Sequence, residues 1–307
     1  MAASTPPSPP DLEAVRHRLG KVGVWSMLAG LASASAERQV AIAVEQLGYG
    51  AFWFGEGPAG KEAFTHAATL LACTERIQVA TGIANVYGRD PVAAANGAAT
   101  LADAWPGRFV LGLGVSHAPL VTTRGHDYGK PVSTMRSYLD AMDAARFGPP
   151  LPEAPPRLLA ALRPKMLELA RTRGQGAHTY FATPEHTARA RTALGAEPIL
   201  AVELAVVVDT DPASARAAAR KYAAMYLALP NYQNHLRELG FTDADLEGGG
   251  SDALIDAVVP WGDPDTIAER VRAHHEAGAD HVCVQPIADT IEEQTEHLRV
   301  LAPGLTT

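Results

Sequence analysis

Three ionisable side chains stand at or just beyond the ends of short apolar runs: Glu56 in AFWFGEG, His117 in LGLGVSH and His178 in AHTY. A carboxylate in such surroundings must find hydrogen-bond donors or have its pKa raised, which suits it to proton transfer; it could equally cap a helix. An imidazole titrates near neutrality and can relay a proton, although 11 histidines leave ample room for one without a role. Anion binding has two candidates. In LLAALRPKM a strand-like run passes into a Pro-started helix whose free amides, with Arg163 beside them, would hold a phosphate; AHTYFATPEHT offers a similar helix start. Arg163 also fits a solvated surface charge. Glycines at 55, 57, 82 and 114 permit close backbone approach by a flat or bulky group, or serve as turn glycines. The Gly-x-Gly of LGLG lacks the spacing and the acidic partner of a dinucleotide fingerprint. No HExxH, CxxC or paired-His spacing suggests a metal, and there is no GxSxG nucleophile elbow.

The elements that would position these residues alternate regularly. Strand-like runs fall at 21–25, 51–54, 77–81, 109–115, 158–162, 176–180, 199–208 and 281–286, and segments of helical period at 36–47, 61–73, 92–104, 132–147, 164–173, 184–194, 212–228 and 263–277. Asp211-Pro212, Asp263-Pro264 and Thr183-Pro184 fit an N-cap followed by proline at the first helical position. Eight strands alternating with helices predict an α/β fold, a closed (β/α)8 TIM barrel, which keeps its site at the C-terminal strand ends where Glu56, His117 and His178 fall. Residues 117–130, after strand four, and 229–259, before the last βα unit, exceed the repeat and are expected as substrate walls or surface elaboration, with a hinge at 247–251.

With 307 residues, 47% hydrophobic, the chain can bury one barrel core as a single domain over 19–307, behind a poorly ordered Ser/Pro-rich tail at 1–18. A net charge of −8 argues against a nucleic-acid partner. No apolar run approaches the length of a membrane span. Cys73 and Cys283, each inside an apolar run, fit buried free thiols in a reducing compartment, hence a cytoplasmic protein.

Over residues 76–117, RIQVATGIANVYGRDPVAAANGAATLADAWPGRFVLGLGVSH, the chain resembles the luciferase-like monooxygenase superfamily; LGYGAFWFGE and DPDTIAERVRAHHEAGADHVCVQP extend the likeness over nearly the whole chain. The resemblance implies a tricyclic ring at the C-terminal face of the barrel. In the deazaflavin branch a non-prolyl cis peptide backs that ring, and the matching bond is Gly82–Ile83, followed by Ala84. Leu162, Arg163 and Thr179 match positions that hold the cofactor phosphate, with Gly standing where Arg163 does in related proteins. Glu56 matches an acidic position that contacts the cofactor, and Gly114, Ser116 and His178 fall within the implied cofactor site. Gly57 stands where the sugar-phosphate dehydrogenases of the branch carry a catalytic His, so His117 becomes the candidate acid in its place. The expectation is a coenzyme F420-dependent oxidoreductase acting on a small organic substrate, with Glu56 and His117 as its acid/base candidates and a homodimer as its assembly. The rivals are an FMN-dependent monooxygenase and a non-catalytic flavin-binding barrel.

Overall fold

Eight parallel strands close on themselves: β1 (Val22–Trp25), β2 (Ala51–Phe54), β3 (Gln78–Thr81), β5 (Phe109–Gly114), β6 (Arg157–Ala160), β7 (Gly176–Thr179), β8 (Ile199–Val206) and β9 (His281–Pro286) pair in the order β3-β2-β1-β9-β8-β7-β6-β5, and β3 pairs with β5 to complete the ring. A two-residue strand, β4 (Ala84–Asn85), continues beyond β3 and pairs with the end of β5. The computed structural model describes residues 7–306 of the chain, and helices lie between the strands as a (β/α)8 TIM barrel requires. All eight expected strands are present, with ends within a few residues of the sequence reading.

The helices start where the sequence marks them. Asp211 accepts from the amides of Ala213 and Ser214, Asp263 from Thr266 and Thr183 from His186, each followed by proline at the first helical position. One further helix, Ile291–Leu305, follows β9 and supplies the outer layer for the last strand; its N-cap Thr290 accepts from the amide of Glu293.

The expectation of a poorly ordered tail through residue 18 is corrected for its described part, while residues 1–6 lie outside the described residues. Leu12–Leu19 is a helix, N-capped by Asp11, and its Val15 and Leu19 are fully buried among barrel-interior residues such as Ala51, Val110 and Ile199. Arg16 pairs with Asp280 at 3.1 Å, just before β9, so this helix closes the N-terminal end of the barrel. Both cysteines are free; Cys283 is buried as expected, whereas Cys73 is only half-buried.

The two long segments contain helices. The first holds Ala118–Thr122, and the second holds Pro230–Leu239, Asp243–Leu246 and Asp252–Val258. The expected hinge at 247–251 is a 3-10 turn, Glu247–Gly249, with Arg220 donating to the Gly250 carbonyl at 3.1 Å. The second segment packs with Phe181, Tyr226 and Leu227 into an apolar cluster above β7 and β8. No described helix is long and apolar enough to cross a membrane.

Candidate active site

A cavity of about 670 Å3 opens at the C-terminal strand ends, a size suited to a drug-sized ligand. Its floor is built where β3 gives way to β4. The Gly82–Ile83 peptide is cis, in agreement with the family resemblance. Trp25 Nε1 donates to the Gly82 carbonyl at 3.1 Å, Gly82 N donates to Phe54 O at 2.6 Å, and Glu56 N donates to Ile83 O at 3.2 Å, so the bend is tied to the ends of both β1 and β2. A Cβ on Gly82 would lie 2.5 Å from Trp25 Nε1 and 3.0 Å from His178 Nε2, and one on Gly114 would lie 2.4 Å from the Ile83 side chain. These two glycines therefore make room for the indole below the bend and for Ile83 beside it.

Glu56 secures the same bend. Its carboxylate accepts from Asn85 N at 2.8 Å and Ala63 N at 3.3 Å and is paired with Arg89, which also meets Glu62 at 2.7 Å. With side-chain exposures of 3% for Glu56 and 9% for Arg89, this is a nearly closed ion pair whose donors occupy the carboxylate. Three donors hold the Glu56 carboxylate to the bend, which gives a positioning role direct geometric support.

Beneath the bend, His178 stacks on Trp53 with ring centroids 4.7 Å apart. Burial holds its pKa down to about 3, so the ring is neutral. Nδ1 faces Ala201 O at 3.3 Å, which makes it the proton-bearing nitrogen, and Nε2 is buried, without a protein partner, on the Gly82 side.

At another edge of the cavity the helix Pro164–Arg173 begins with no side-chain cap, leaving the amide of Lys165 open, and Arg163 and Lys165 both line the space. Arg163 is half exposed and donates to Glu238 at 2.7 and 3.0 Å, so its charge is partly answered within the chain. The second anion candidate is closed: the Thr183 hydroxyl occupies the start of helix Pro184–Leu194 by accepting from His186 N at 3.3 Å. His117 borders the cavity at the start of the first long segment, with its ring 5.6 Å from that of Tyr232; burial lowers its pKa, so it too is neutral at pH 7.

The remaining wall is aromatic and polar. Tyr180 and Tyr226 line the cavity, their hydroxyls 2.8 Å apart. Tyr222 OH lies 2.9 Å from Tyr180 OH and 3.4 Å from the carboxylate of Glu203, a fully buried residue of β8. Burial raises the Glu203 pKa to about 8, against the lowering effect of its bonds from Phe181 N and Tyr222.

The model of the luciferase-like monooxygenase family matches residues 19–281. The chain belongs to this family. Over 301 aligned residues it is 26% identical to an uncharacterised protein of Mycobacterium tuberculosis, with 79% of this chain and 87% of that protein covered. A second M. tuberculosis protein, provisionally named a coenzyme F420-dependent oxidoreductase, is 30% identical over 39% of this chain and 33% of its own. Among solved structures, an F420-dependent secondary alcohol dehydrogenase superposes with a TM-score of 0.72 at 17% identity, covering 93% of this chain and 98% of that one. An FMN-bound type II Baeyer-Villiger monooxygenase constituent from Pseudomonas putida gives 0.65 at 16%, covering 92% and 95%. At such identities these two likenesses establish the fold.

Within this luciferase-like barrel the expected site residues separate into two groups. Glu56, Gly82, Ile83, Ser116, His117, Leu162, Arg163 and His178 line the cavity. Ala84, Gly114 and Thr179 stand behind it: Ala84 and Thr179 are fully buried, and Gly114 makes room for Ile83. Gly57 also faces the space, with nothing within 4 Å of a Cβ placed there. The residues fit a flat tricyclic group: an apolar floor with Ile83 raised into it, the orphaned His178 Nε2 below, and an uncapped helix start with two cations at one edge. The sequence reading did not single out Trp25, Tyr226 or Glu203 for the site. Glu203 carried a usable signal, as the lone charge in the apolar run ILAVELAV.

Proposed function

We propose that the chain is a coenzyme F420-dependent oxidoreductase that moves hydride between the deazaflavin and a small alcohol, imine or activated alkene. The observation that carries this reading is the cavity at the C-terminal strand ends, with Ile83 raised into its apolar floor and Arg163 and Lys165 at the uncapped helix start on its edge. When bound, the deazaflavin supplies a carbon that gives or takes a hydride. The chain supplies the rest. Gly82, Ile83 and Trp25 set the plane of the ring, the start of helix Pro164–Arg173 with Arg163 and Lys165 receives the phosphate, and Glu56 and Arg89 hold the bend without exchanging protons. His117, kept neutral by burial, hydrogen-bonds the substrate oxygen or nitrogen. Tyr226, Tyr232 and the apolar lining limit water.

Use of FMN for oxygen activation is a second reading, because the cationic edge at Arg163 and Lys165 would receive the phosphate of either cofactor. Open space beside Gly57, in place of an acid, is what a non-catalytic flavin-binding barrel would also show. The same family reading carries a homodimer formed through barrel helices, which a monomer by light scattering would contradict, and the two free cysteines fit a cytoplasmic location. Stopped-flow mixing of the F420-reduced protein with small ketones, imines and activated alkenes tests the function. Substrate-dependent, oxygen-independent reoxidation is expected. Reoxidation by oxygen alone would favour the FMN reading, and none at all would favour a binding protein.

A further inference from the structure

Glu203 is a carboxyl group at 0% exposure with no basic partner among the described residues. The titratable and polar groups around it come from several elements. Phe181 N, just after β7, donates to Oε2 at 3.1 Å, and Tyr222 on helix Pro212–Leu227 reaches Oε1 at 3.4 Å. Cys283 is its register partner on β9, with its thiol on Val202 O and its pKa raised by burial first and by Glu203 second. Gln285, also on β9, accepts from Tyr180 at 2.9 Å. Tyr226 and Tyr232 complete the surroundings, and burial pushes their phenols well up.

From Glu203 the hydroxyls run in one line to the cavity: Tyr222 at 3.4 Å, then Tyr180 at 2.9 Å, then Tyr226 at 2.8 Å. Each phenol can accept from the group behind it and donate to the group ahead, Tyr180 by turning its single proton from Gln285 to Tyr226, which is what a hydrogen-bonded relay needs.

We propose that Glu203, Tyr222, Tyr180 and Tyr226 form a proton relay, with Glu203 as its buried end and Tyr226 as the group that protonates the substrate. This deepens the hydride-transfer reading and rests on it. In the reducing direction the hydride from the deazaflavin, which is oxidised, forms the new C–H bond, and the π pair of the C=O or C=N bond moves to oxygen or nitrogen. Tyr226 gives that atom its proton and recovers one from Tyr180, Tyr180 from Tyr222, and Tyr222 from the Glu203 carboxyl, which is left as carboxylate. The reverse sequence carries a proton inward during oxidation. His117, across the Tyr232 ring, orients the reacting atom. A carboxyl that stays protonated at pH 7, as burial provides here, can act as the source.

Infrared difference spectroscopy of the full chain without cofactor tests the buried end. The carbonyl stretch of a protonated carboxyl is expected at pH 7, lost as pH rises through about 8. It should be absent in E203Q. In Y222F its loss moves to higher pH, because a donor to the ionised form has gone. The decisive variant is Y226F, at the cavity end: an upward move of the Glu203 titration shows that the chain is connected, while Y232F, in the same aromatic cluster but outside the line, leaves it in place. An ionised Glu203 at pH 7, or a titration indifferent to Y226F, would overturn the relay. With coenzyme F420 and an accepted ketone, E203Q and Y222F should each lower kcat/KM about 100-fold and flatten its alkaline fall; unchanged profiles would overturn the catalytic role. The infrared result needs no cofactor. Failure to bind any flavin would therefore remove the proposed function without being mistaken for failure of the relay.

Discussion

The floor and the far wall of the cavity solve opposite problems. The floor, from Trp25, Glu56, Gly82 and Ile83, is fixed by backbone hydrogen bonds and by an ion pair whose charges cancel locally. The wall, from Tyr180, Tyr222, Tyr226 and Glu203, is fixed by side-chain hydroxyls around a carboxyl with no cation to answer it among the described residues. Both contain a buried glutamate. Glu56 sits beside Arg89 and two backbone amides, which satisfy its carboxylate; Glu203 has one amide and one phenol, and burial dominates its pKa. The two carboxyls differ in their partners rather than in their depth.

Five substitutions would break or sharpen this contrast. E56A strands Arg89 with Glu62 alone and is expected to cost about 3 kcal/mol in urea unfolding; a loss below about 1 kcal/mol would mean that the floor does not depend on the pair. Gly82→Ala places a methyl against Trp25 Nε1 and should weaken cofactor binding roughly 10- to 100-fold. Gly57→Ala, which meets nothing within 4 Å, is its control and should leave affinity unchanged.

The Glu203 prediction concerns pH. Its folded pKa, about 8, exceeds the ordinary 4.5, so between these values the folded chain holds a proton that the unfolded chain has released. Stability therefore falls as pH rises through that window. Comparing the melting temperatures of native protein and E203Q from pH 5 to 8 should show the native protein losing several degrees relative to the variant; parallel curves would place Glu203 with Glu56 as a charged structural group. R163A, at a half-exposed residue already paired with Glu238, should have the smallest effect, about 5-fold weaker FMN binding with riboflavin unchanged. Equal losses for both ligands would mean that the residue shapes the pocket rather than receiving phosphate.

The floor was legible in the sequence and the wall was not. Short-range patterns define the strands, caps and glycines, and the floor is assembled from adjacent strand ends, so Glu56, Gly82 and Ile83 fall together as soon as the eight-unit repeat is recognised. The wall draws on β7, β8, β9 and a helix beyond β8. Tyr180 and Tyr226 meet only through the tertiary fold, and the four-residue spacing of Tyr222 and Tyr226 reads equally as an ordinary core face. Helix Leu12–Leu19 was missed because its polar residues and proline-rich approach outweigh the two side chains, Val15 and Leu19, that plug the barrel. Helix Ile291–Leu305 was missed as well, although Thr290 and Glu293 stand at capping spacing at its start. For Arg163, the sequence showed the charge but not Glu238, 75 residues away, that shares it.

The most direct measurement is an equilibrium titration of the purified protein with coenzyme F420 and with FMN, each alongside its Gly82→Ala variant. Tight binding of coenzyme F420, weak binding of FMN and a loss in the variant are expected if the Ile83 bend supports a deazaflavin. FMN held tightly with coenzyme F420 ignored, or a variant that binds as well as the native chain, would contradict it.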